Sequence, residues 1–140
     1  MPKDRFEILP HTADKEIKAF GCSMKELFEN AAYGMFSIMA ELDRYTPTEC
    51  VEIEVEGSDN ETLLHNWLSE LNYRFEVDRI LFVSFEALSI EDCRLKAVAR
   101  GLPFSPEIEW LGSPVKAVTY GGLTIRQVGD HWEAQVIFDV

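Results

Sequence analysis

Between residues 23 and 40 apolar side chains recur every third or fourth position: Met24, Leu27, Phe28, Ala31, Ala32, Met35, Ile38 and Met39 share one helical face. Ser23-Met24-Lys25-Glu26 opens that run as a capping box, in which the serine hydroxyl and the glutamate satisfy free backbone N–H groups of the first turn. The same device reads at Ser58 and Glu61, ahead of a second stripe of Leu63, Leu64, Trp67, Leu68, Leu71 and Phe75. Elsewhere the period falls to two. Phe6 and Ile8 flank Glu7, Ile17 and Ala19 flank Lys18, and Val51, Ile53 and Val55 alternate with Glu52, Glu54 and Glu56, the pattern of strands with one buried face. Further strands are predicted over 81–90, 93–100, 116–126 and 132–138, whereas 102–114, with Pro103, Pro106, Gly112 and Pro114, breaks both periods and reads as a loop.

The order is two strands, a helix, a strand, a helix and then a run of strands. With only two helices to cover the sheet, this predicts an α+β fold and not a doubly wound one. The expected architecture is a two-layer sandwich of two amphipathic helices on a mixed, largely antiparallel sheet. A chain of 140 residues suffices for one such domain, over 1–140, without disulfides or metal to hold it. One internal echo is visible: Glu16-Ile17 leading through Gly21 to Ser23-x-x-Glu26 resembles Glu52-Ile53 leading through Gly57 to Ser58-x-x-Glu61. A shared grammar of strand-to-helix turns accounts for it nearly as well as a duplicated unit.

Charge narrows the functional classes. The net charge of −12 disfavours direct, stable nucleic-acid binding, which relies on basic patches that release counterions. Residues 41–61 carry eight acids against Arg44, while 94–126 carry five bases against Glu107 and Glu109. Solvated strand faces explain this two-sidedness more simply than a dedicated partner site. Cys22, Cys50 and Cys93 form neither a disulfide framework nor a Cys-x-x-Cys pair, which suits a reducing compartment. The first nine residues lack a signal-peptide core, and 31–40 is too short to span a bilayer. A soluble cytoplasmic protein is expected.

Catalytic signatures are absent: there is no phosphate-binding glycine loop, no Gly-x-Ser-x-Gly elbow and no His-x-x-x-His pair. His11, His65 and His131 are scattered, and His65 and His131 read as surface or structural. Three places bear weighing. In Pro10-His11-Thr12-Ala13-Asp14, short polar side chains link two strands, where they commonly bond their own backbone. At the other end Asp139 stands beside the terminal carboxylate of Val140, and adjacent carboxylates repel unless solvated or bridged by a cation. If the sheet brings Asp14 close, three oxygen donors converge in a set suited to Ca²⁺, Mg²⁺ or Mn²⁺ and not to zinc. Spacing alone leaves a solvated chain end the simpler account. The third place is Lys116, which enters a strand straight after the proline-rich loop, as a functional cation or as an edge lysine that discourages aggregation.

Taken together, His11-Thr12-Ala13-Asp14, Leu63-Leu64-x-x-Trp67-Leu68-x-Glu70-Leu71, Lys116-Ala117-Val118-Thr119-Tyr120 and Gln135-Val136-Ile137-Phe138-Asp139-Val140 resemble the archease family over essentially the whole chain. The resemblance implies an accessory protein and not a free-standing enzyme. Archeases activate the GTP-dependent tRNA-splicing ligase, promoting guanylylation of its active-site histidine and restoring multiple turnover. It further implies a divalent cation, taken in the family to be calcium, held at the positions of Asp14, Asp139 and Val140. It implicates Lys116 in ligase activation and leaves His11 and Thr12 to shape the Asp14 loop. Gly121 departs from the archaeal pattern, in which a histidine often follows the tyrosine; a glycine there loosens a strand or marks a bulge. Two other classes compete: a metal-dependent phosphohydrolase using Asp14, Asp139 and His11, for which no nucleophile is evident, and a general chaperone, which requires a large exposed apolar patch.

Overall fold

In the computed structural model, which describes residues 5–9 and 14–140, two glycines set how the helices begin. Gly21 ends strand β2 (Lys15–Gly21) and Gly57 follows strand β3 (Glu49–Glu56). A Cβ on Gly21 would lie 2.4 Å from the Leu27 nitrogen, and one on Gly57 would lie 2.6 Å from that of Leu63. Only a residue without a side chain lets the strand end press on the first helical turn this closely. Helix α1 (Met24–Ser37) then starts from Ser23, whose hydroxyl accepts the Glu26 N–H, while Glu26 reaches back to the Cys22 N–H. Helix α2 (Asn60–Asp78) starts from Asp59, whose carboxylate accepts the Thr62 N–H. The cap is therefore Asp59, and the Ser58–Glu61 box expected from the sequence is displaced by one residue. Both caps stand two residues beyond their glycine.

The echo continues along both helices. Nine residues beyond each glycine an asparagine donates to the carbonyl just before it, Asn30 to Phe20 and Asn66 to Glu56, each at 2.7 Å. The two units also share a strand order. Strand β4 (Ile80–Glu91) and β5 (Arg94–Pro103) form a hairpin whose second strand lies against β3, giving β3-β5-β4. Strands β7 (Thr124–Val128) and β8 (His131–Asp139) form another, whose second strand lies against β2. The chain is thus a β-α-β-β unit inserted into a second β-α-β-β unit, between its helix and its hairpin. Strand β1 (Phe6–Leu9) extends the outer unit's sheet on the far side of β2, and the short β6 (Ala117–Val118) pairs with the end of β8.

All strand pairs among the described residues are antiparallel, and the α+β class is as the sequence predicts. Helix α1 packs on β2 of one sheet and β4 of the other, burying Leu27, Phe28, Ala31, Ala32, Met35 and Phe36 completely. Trp67 of α2 is equally buried and donates its indole N–H to the Phe28 carbonyl, tying the helices together. One expected strand is corrected. The run 116–126 is divided into β6 and β7 by a turn at 120–123, where Gly122 takes φ +81° and the Leu123 N–H bonds the Tyr120 carbonyl. The glycines after Tyr120 allow that reversal. The irregular segment before β6 is fastened down: Arg44 pairs with Glu109 at 2.9 Å, and the Leu111 N–H reaches the Met39 carbonyl at 2.8 Å.

Candidate functional site

The register of β2 against β8 decides where the acidic candidates lie. Lys15 pairs with Phe138, so the next positions outward on these strands are Asp14 and Asp139, residues from opposite ends of the sequence. Positions directly across an antiparallel pair stand about 4.5–5.5 Å apart at Cβ, and like charges there destabilise. Asp139 is exposed and Asp14 half-buried. On its other edge Asp139 pairs with Ala117, and its carbonyl accepts the Lys116 N–H at 2.7 Å. Val140 packs half-buried on the core. Strand order β2-β8-β6 therefore lines up Asp14, Asp139, Val140 and Lys116 at one end of one sheet. His11 and Thr12 lie outside the described residues.

The equivalent place in the inserted unit has different chemistry. Counted from Gly57 as Asp14 is from Gly21, the matching residue is Cys50, and opposite it in β5 stands Arg100, which bonds Glu86 at 3.2 Å. The β-α-β-β scaffold is thus built equally well without a carboxylate pair. No group of three or more His, Cys, Asp or Glu side chains among the described residues is placed to hold a metal ion. The oxygens at this sheet end are those of the Asp14 and Asp139 carboxylates and of the Val140 main chain, hard atoms of the kind Ca²⁺ and Mg²⁺ take, short of the six or more that either ion needs.

Lys116 borders a cleft of about 360 Å³ between α2 and β6, lined also by His65, Asn72, Tyr73 and Glu76. Here α2 holds the main chain around the lysine. His65 Nε2 lies 3.0 Å from the Val118 carbonyl, which only accepts, so this nitrogen donates there, and Nδ1 lies 3.2 Å from the Asn66 Oδ1. The His65 ring lies 4.5 Å from that of Tyr120, whose hydroxyl donates to Thr62. Asn72 donates to the Val115 carbonyl at 3.1 Å, while its buried Oδ1 has no partner among the described residues. Asn72 is the residue that sequence reading passes over. Its signal is a polar residue set among Leu68, Leu71 and Phe75, in a stripe otherwise apolar. His65 is structural, as expected, but its partner belongs to the lysine-bearing segment. His131 bonds Glu133 at 3.2 Å on the outer unit's sheet.

Elsewhere, Glu29 of α1 is the one carboxyl among the described residues whose pKa is resolved as raised. Burial pushes its pKa up, partly opposed by the Ala87 N–H that it accepts at 2.8 Å, beside a register shift in β4.

Known proteins resemble this arrangement throughout its length. The Archease protein family (MTH1598/TM1083) matches residues 6–140. Protein archease of Methanosarcina acetivorans is 39% identical, with 97% of this chain and 96% of that protein covered. The archease-like protein of Drosophila melanogaster is 34% identical over 100% of this chain and 93% of its own. Among solved structures, protein 1598 of Methanobacterium thermoautotrophicum superposes with a TM-score of 0.86 at 32% identity, covering 97% of this chain and 99% of that one.

Proposed function

The chain belongs to the archease family, and from that premise we propose that it activates a GTP-dependent tRNA-splicing RNA ligase. In this reading the protein performs no turnover itself. It promotes guanylylation of the ligase's active-site histidine and so sustains multiple turnover. The reading is supported by one observation above all: residues 14, 116, 139 and 140, distant in sequence, share one sheet end, and the sister unit has no carboxylate pair there.

Asp14, Asp139 and the main-chain carboxylate of Val140 are the residues that would hold a divalent cation, Ca²⁺ in the first instance, with Mg²⁺ and Mn²⁺ as alternatives. Such an ion, when bound, offsets the repulsion of the carboxylates and presents positive charge to phosphate oxygens. Lys116 places a second positive group on the neighbouring strand, suited to the phosphates of GTP or to a carboxylate on the ligase. The acidic excess of the chain has a role in this division of labour too: a surface of net charge −12 is drawn towards a cationic RNA-binding cleft on the partner, which itself retains the RNA. None of the described helices is long and apolar enough to cross a membrane. The free thiols of Cys22, Cys50 and Cys93 accord with the cytoplasm as the working compartment.

The test is guanylylation of the purified ligase by GTP with and without this protein. The wild-type chain is expected to raise the rate, and Asp139→Ala to lose about tenfold or more of that stimulation, on the order of one lost charge-assisted contact. Calcium affinity should fall with it while the thermal midpoint holds. Undiminished activation by Asp139→Ala would sink the assignment. Hydrolysis of nucleotides or phosphoesters by the protein alone would point to the phosphohydrolase reading instead.

A further inference from the structure

The segment that carries Lys116 has little structure of its own. Strand β6 is two residues long, an irregular run precedes it and a glycine turn follows. Its ladder consists of pairs with Asp139 and Phe138, supplemented by the Thr119 N–H and hydroxyl on the Ile137 carbonyl at 2.9 and 2.5 Å. So short a strand is marginal by itself.

Helix α2 supplies what the ladder lacks. His65 and Asn72 lie two turns apart on one face. They bond the carbonyls of Val118 and Val115, which bracket Lys116 and Ala117. Contact of the tilted Tyr120 ring with His65, with its hydroxyl on Thr62, extends the grip to the end of the motif. Packing requirements do not account for Asn72. It is only 5% exposed, it leaves Oδ1 unpaired among the described residues, and a leucine would fill the space without that cost. At the same count from the glycine, α1 carries Phe36, fully buried among aromatic rings.

We propose that His65 and Asn72 are positioning residues for Lys116: they clamp the main chain on both sides of it and fix where its ammonium stands relative to the Asp14–Asp139 end. The functional half of this proposal rests on the reading of Lys116 as the activating cation; the mechanical half does not. The two are tested together. For the clamp, amide hydrogen exchange is followed at Lys116 and Thr119, whose N–H groups bond Asp139 and Ile137. His65→Ala and Asn72→Leu should each speed exchange there by about tenfold, the scale of one lost hydrogen bond, and leave the α1 amides unchanged. Unaltered exchange at both amides overturns the proposal.

For the function, stimulation of ligase guanylylation is measured against concentration of the variant. His65→Ala and Asn72→Leu should lower the maximal stimulation with little change in the concentration giving half of it. His65→Gln, whose side-chain nitrogen reaches the place of Nε2, should restore it, and His65→Asn, whose nitrogen falls short, should not. Asn72→Leu should keep or raise the thermal midpoint while activation falls, which separates positioning from simple instability. Equal activation by all four variants, or no advantage of glutamine over asparagine, refutes the positioning role. Lys116→Ala is the control that keeps the two readings apart. If it activates fully, the assignment of Lys116 fails, while the exchange data still decide whether the clamp exists.

Discussion

The outer and inserted β-α-β-β units follow one plan and end in opposite chemistry. Both press a glycine onto the first turn of a helix, cap that helix two residues later, and tie it to the preceding strand through an asparagine. At the open end of the strand pair one unit has Asp14 and Asp139 and the other Cys50 and Arg100. Fifteen residues beyond the glycine one has Phe36 and the other Asn72. What the units share is therefore scaffold, and what distinguishes them is the set of positions that the scaffold does not require. Abundance of charge is a poorer guide, since most of the acidic excess lies in 41–61, away from Asp14 and Asp139.

The sharpest way to break this division is through the matched helix position. Phe36→Ala should cost about 4 kcal/mol, the usual range for emptying a buried aromatic site, seen as a lowered denaturant midpoint. A neutral result there would deny that α1 is the structural helix. Gly21→Ala and Gly57→Ala come next. Each new Cβ would meet helix backbone at 2.4 or 2.6 Å, which no rotamer relieves. Both should cost about 3 kcal/mol, at the upper end for forced overpacking, and by similar amounts if the two junctions are equivalent. A large difference between them would show that one unit bears the fold alone.

The smallest effect concerns Glu29. Its pKa is raised by burial, so the native state holds the proton more tightly than the unfolded chain does. The charged form is thus slightly unfavourable to folding at neutral pH, and this penalty fades as pH falls through the carboxylate range. Glu29→Gln should raise the thermal midpoint modestly at pH 7 and lose that advantage in acid, because the amide oxygen can still accept the Ala87 N–H. A gain that persists unchanged in acid would assign the effect to something other than ionisation.

Much of the fold is legible in the sequence because periodicity is local. Both helices and most strands follow from stripes such as Leu27-Ala31-Met35 and Ile53-Val55. The misplacements have equally local reasons. Ser58 and Asp59 are both good caps, and only the offset from Gly57 selects the second. Alternation is present on both sides, at Val118 and Tyr120 and again at Leu123 and Ile125, and only its change of parity marks the turn at Gly122. The site is another matter. That Asp14 stands beside Asp139 depends on strand register across the whole chain, which no window of sequence contains; only family resemblance points to it. Asn72 shows the converse, since its polar lapse in an apolar stripe is visible in the sequence but acquires meaning only when Val115 is found opposite.

The nesting of one unit inside the other also orders events in time. Strand β2 is made early, yet the edge that will face β8 stays open until the inserted unit and the following loop have been synthesised. Contacts of such long separation form late, after local helices and hairpins. During translation the inserted unit can assemble against α1, already made and packed on β4, while Asp14 waits for β8. A polypeptide released before β8 would lack the partner strand of β2 and never assemble the acidic end.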